Sequence, residues 1–168
     1  MSLHHDLLRQ ARMLADHEPR RPKQASLRRA ISAAYYAVFH LLTSEAAARL
    51  VKGAARRPLR DALRRAYNHG EMRLACADFC TSTGGQFSAI VGSAGVPADL
   101  QVVAQAFRDL QQARHEADYD VSRTFTRGEA LDVVALAEQA FSAWRTARAT
   151  AASDAFLTVM LARKGMLR

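Results

Sequence analysis

The stretch from Ser26 to Leu42, SLRRAISAAYYAVFHLL, constrains the fold more than any other part of the chain. Leu27, Ile31, Ala34, Val38 and Leu42 recur at steps of three and four, which on a 3.6-residue period draws one apolar stripe along a helix. Tyr35 and Phe39 widen the stripe. Arg29, Tyr36 and His40 form a second line beside it, at spacings of seven and four residues. A helix that is aromatic around most of its circumference leaves little surface for water, so it is expected at the centre of a bundle. Its polar members then need partners from neighbouring helices, because a buried polar group without a hydrogen bond is costly.

Those partners are expected in LQQARHEADYD. Leu100, Val103, Phe107 and Leu110 form a regular stripe, and Arg114 stands where the next apolar side chain belongs. Asp118 follows four residues later, a spacing at which an Arg and an Asp pair along one helix. His115 and Tyr119 form the adjacent line. Arg29, Tyr36, His40, Arg114, Asp118 and Tyr119 are therefore expected to build an internal polar network that orients helices or lines a small anion-binding groove.

The remaining segments repeat the helical period. Leu3 to His17 is amphipathic and is closed by EPRRP, where Pro19 and Pro22 interrupt helical hydrogen bonding. Ser26 is the expected N-cap of the central helix, which runs to about Val51 before Lys52 and Gly53 end it. Pro58 suits the first turn of the next helix, in which Leu59, Leu63, Ala66 and Tyr67 oppose Arg60, Asp61 and Arg64. Glu71 to Phe79 should bury Met72, Ala75, Cys76 and Phe79. Thr81 to Gly95 is Gly-rich and reads as a mobile loop, with one helical turn at Phe87 to Val91. Thr126 and Glu129 form a capping box that opens a helix carrying Leu131, Val134, Phe141 and Trp144. Phe156, Leu157, Met160 and Leu161 make a last apolar face, expected to cover a second subunit.

No long segment alternates at period two, so the fold class is all-α, an up-and-down helical bundle with an additional C-terminal helix. A length of 168 residues fits one domain, assigned to 1–150, with 151–168 as a helical extension. The formal charge of +8 attracts polyanions without specifying one, so RNA or a nucleotide is an expected partner. The start MSLHHDLL lacks the pattern of a signal peptide and no apolar run reaches the length of a membrane span, so a cytoplasmic protein without a membrane partner is expected. Cys76 and Cys80 share a helical face, but a zinc site needs two further ligands and none stands at a suitable spacing. No metal and no cofactor is expected.

The sequence carries no phosphate-binding glycine loop, no HExxH, no nucleophile elbow and no paired carboxylates. Metal-independent RNA cleavage would rest on a His as acid or base and an Arg that stabilises phosphoryl charge. Arg64 and His69 enclose four residues, as do Arg114 and Tyr119, and these are the weak catalytic candidates. A tyrosine with an ordinary pKa near 10 is a poor base at neutral pH, which makes the second pair a structural one.

RRAISAAYYAVFHLL and LQQARHEADYD together resemble the HEPN domain family of small prokaryotic helical proteins, in the branch with YYAxFH-like and RxxADY-like signatures. The similarity covers most of Leu27 to Trp144. It implies a HEPN-like bundle that forms homodimers and that partners a nucleotidyltransferase or RNA in a toxin–antitoxin-type pair, or else acts as an endoribonuclease with an Arg and a His in a dimer cleft. Arg114 stands at the family arginine, but the residue five later is Tyr119 and not His. The expectation is therefore a non-catalytic HEPN-like interaction module, with a metal-independent endoribonuclease as the alternative.

Overall fold

The computed structural model describes residues 2–18 and 20–167, so the break expected at Pro19 lies outside the described residues. The chain is an all-α, up-and-down helical bundle with eight α-helices and no strand among the described residues. They are α1 (Leu3–Asp16), α2 (Gln24–Leu50), α3 (Arg57–Ala66), α4 (His69–Phe79), α5 (Ser88–Val91), α6 (Ala98–Tyr119), α7 (Arg127–Ala147) and α8 (Ala151–Met166). Two compact units divide the chain: Met1–His40 with Ala106–Ser142, and Leu41–Gln105 with Ala143–Arg168.

In the first unit, Leu27, Ile31, Ala34, Tyr35 and Val38 of α2 are all fully buried, as the stripe requires. The Tyr35 ring packs on Phe107 of α6 at a centroid distance of 5.5 Å. α2 starts at Gln24, two residues before the expected cap Ser26. The first turn of α7 is held by the predicted capping box: Glu129 accepts from the Thr126 backbone N–H at 2.7 Å, and Thr126 Oγ1 accepts from the Glu129 N–H at 3.2 Å. α1 is tied to α7 by a two-pronged Arg12–Glu138 contact at 2.5 and 2.6 Å and by an Arg127–Asp16 ion pair.

In the second unit, Asn68 caps α4 by accepting from the Gly70 and Glu71 N–H groups. Thr150 caps α8 through the Ser153 N–H. α8 does not wait for a second subunit: Phe156, Leu157 and Met160 are buried within the chain, and Phe156 packs on Phe79 of α4 at 5.1 Å. The segment 81–97 is not the open loop its composition suggests. It carries the expected helical turn, and Phe87, Val91 and Val96 are buried. Val96 N–H donates to Ser82 O at 2.7 Å, and Gly95, at φ 69°, passes so close to Ser82 O that a Cβ would sit 2.6 Å from it.

Candidate functional site

The polar residues of the first unit gather along the seam between α2 and α6. Arg114 Nη2 donates to the Tyr36 hydroxyl at 3.2 Å, and Arg114 Nε lies 2.6 Å from Asp118 Oδ2. Ser32 Oγ donates to the other Asp118 oxygen at 2.5 Å. The Arg114 guanidinium also lies over the Tyr36 and Tyr119 rings, 5.6 and 5.4 Å from their centroids. Burial opposes its charge, and the groups at Tyr36, Asp118 and Tyr119 outweigh that effect, holding the arginine above its ordinary value.

The network is half-buried. Arg114 and Asp118 side chains keep 19% and 24% of their surface, and Tyr119 is 63% exposed, covering the outer side of the guanidinium. His40 continues the line along α2, its ring stacked on Tyr36 at 6.3 Å. Arg29 is elsewhere. It is exposed and lines a groove between α1 and α2.

Arg28 takes the place expected of Arg29. Its guanidinium donates to Ala117 O at 2.7 Å, to Asp120 O at 2.9 Å and to Arg123 O. Ala117 O belongs to the last turn of α6, where carbonyls lack partners inside the helix and form the negative end of its dipole, and Asp120 O and Arg123 O follow in the turn beyond it. One planar cation with five donors serves several of them at once. Gln24 adds a reciprocal clamp, donating to Phe125 O at 2.7 Å and accepting from its N–H at 2.9 Å. In the same turn, Asp120 accepts from the Ser122 side chain and backbone, which lowers its pKa. Arg28, Ser32, Tyr36 and His40 stand four apart, so a sequence signal for this line existed.

The other two candidates lie on consecutive helices. Arg64 lies in α3 and is ion-paired with Asp61 of the same helix at 2.7 Å. His69 is the first residue of α4, beyond the Asn68 cap. Between them Tyr67 is buried and donates to Leu157 O at 3.1 Å, and burial raises its pKa. Sequence reasoning also missed an enclosed ion pair of the second unit, Arg163 of α8 with Asp78 of α4 at 3.2 Å.

The α1–α2 groove has a volume of about 530 Å³. Leu7, Leu14, Ala25 and Ala33 give it an apolar lining, and Gln10, Ser26, Arg29, Ser32 and Tyr36 supply polar groups. Its Ser32 and Tyr36 are also members of the α2–α6 seam, so groove and seam share a wall. Among the described residues no group of three or more His, Cys, Asp or Glu is arranged to hold a metal ion.

No family model matches the chain, and no curated protein and no solved structure is significantly similar to it. The labels HEPN domain, toxin–antitoxin, RNA binding and homodimer are corrected accordingly to the coarser statement of a helical bundle. The two motifs that suggested them are accounted for by the α2–α6 seam, and the apolar face that suggested a dimer is buried inside the chain.

Proposed function

We propose that this chain is a non-catalytic interaction module that holds an acidic, partly apolar segment of a partner protein in the α1–α2 groove. The observation that supports this reading is the groove itself: about 530 Å³, mostly apolar, with the exposed Arg29 at its wall. Such a site suits a ligand with one anionic group and an apolar body. Arg114 and Asp118 are engaged with each other, Tyr36 and Ser32, and their role is to fix the groove wall. A nucleotidyltransferase chain is the first partner to present to it.

The test is a titration of the isotope-labelled chain with a candidate partner, following the amides of Ser26, Arg29 and Tyr36, beside an RNA cleavage assay in chelator. Groove shifts that disappear in Arg29→Glu, with no RNA cleavage, agree with the proposal. Robust cleavage that is lost in His69→Ala or Arg114→Ala variants of unchanged fold would contradict it.

A further inference from the structure

The second unit carries a helix turned the opposite way from an ordinary amphipathic surface helix. Between Arg49 and Arg65 the sequence holds seven basic residues and one acid, Asp61. On a helical period, α3 divides into an apolar arc of Pro58, Leu59, Ala62, Leu63 and Ala66 and a charged arc of Arg57, Arg60, Asp61, Arg64 and Arg65. The ordinary arrangement would bury the first arc and expose the second. Here no residue of α3 is buried.

Leu59 is 53% exposed, and Pro58, Ala62 and Ala66 are exposed with it. The residues turned toward the chain are Leu63 and the charged Arg60, Asp61 and Arg64, all half-buried. Arg60 explains the orientation: its guanidinium donates to Gly53 O at 2.6 Å and Val51 O at 3.4 Å, just past the end of α2. Arg64 is held by Asp61. The outward apolar arc is bordered on α3 by the exposed Arg65, and the exposed Lys52 and Arg56 precede the helix; the exposed Arg57 stands on the opposite side of α3.

We propose that α3 is an interfacial helix that seats the chain on an anionic lipid surface. Leu59 and its small apolar neighbours enter the headgroup boundary, and the exposed Lys52, Arg56 and Arg65 meet lipid phosphates. Among the described residues no helix is long and apolar enough to cross a membrane, so the contact is confined to the surface. Charge complementarity favours this occupant over a second copy, whose α3 would bring arginines against arginines. The outward leucine favours it over nucleic acid, which rewards the cations but offers Leu59 nothing.

The experiment is sedimentation of the full chain with phosphatidylcholine vesicles, with and without phosphatidylglycerol, and with an unstructured oligonucleotide as competitor. Binding should require phosphatidylglycerol. It should fall about fivefold for each of Arg56→Ala and Arg65→Ala, the factor corresponding to ~1 kcal/mol per basic residue near such a surface. Leu59→Asn should weaken it about tenfold and Leu59→Met should restore it, with helical circular dichroism unchanged in every variant. Equal sedimentation with and without phosphatidylglycerol, or full vesicle binding by Leu59→Asn, overturns the proposal. So does oligonucleotide binding that is lost with the arginines while vesicles are ignored.

Discussion

Among the described residues, an enclosed Arg–Asp pair stands in each unit, and the two were unequally visible. Arg114 and Asp118 stand one helical turn apart on α6, and their side chains keep 19% and 24% exposure. Arg163 and Asp78 lie 85 residues apart on α8 and α4, with 13% and 10% exposure. The pair that spacing reveals is the wetter one. The pair that spacing cannot reveal is the one whose disruption strands a charge furthest from water. A local pair can form on an isolated helix and so leaves a periodic trace, whereas a long-range pair exists only after two helices have packed.

The contrast predicts an order of costs. Arg163→Ala should have the largest effect, about 3 kcal/mol in denaturant unfolding, because Asp78 loses its ion pair in a poorly hydrated place. Arg114→Ala should cost less, about 1 to 2 kcal/mol, since water reaches Asp118 and Ser32 still donates to it. An equal or reversed order, measured on the same apparatus, would break the comparison. Thr150→Ala removes the α8 cap and should cost about 1 kcal/mol.

Acid provides a smaller and differently directed probe. Glu18 accepts from the Lys23 backbone N–H and pairs with its ammonium, which lowers its pKa to about 2 from 4.5. Glu129 is lowered by its capping-box bonds to Thr126, and Asp120 by Ser122. A carboxylate held low in the fold contributes stability that is fully present above its ordinary value and is lost as pH falls toward its folded value. All three groups belong to the first unit. Hydrogen exchange between pH 4.5 and 2 should therefore show the first unit loosening before the second, and Glu18→Gln should flatten that dependence.

Most of the fold was legible because helical period and caps are local. The capping box at Thr126, the stripe of α2 and the helical turn inside 81–97 were all readable from short windows. The site was legible only in part. Tyr36, Arg114 and Asp118 meet as the spacing suggested, but Arg29 gave way to Arg28. A seven-residue step runs nearly straight along a helix, while a packed neighbour follows the four-residue ridge, which is inclined to the axis. Arg28, Ser32, Tyr36 and His40 are that ridge. The apolar side of α3 was legible but its outward orientation was not, since amphipathy states which residues share a face and not which way that face is turned.

The central structural claim is that Arg28, and not Arg29, ties α2 to the end of α6. Paired unfolding measurements on Arg28→Ala and Arg29→Ala test it directly. Losing the donor to the carbonyls of Ala117, Asp120 and Arg123 should cost about 2 kcal/mol, while Arg29→Ala should stay within about 0.5 kcal/mol of the parent. A larger loss for Arg29→Ala than for Arg28→Ala would contradict the account.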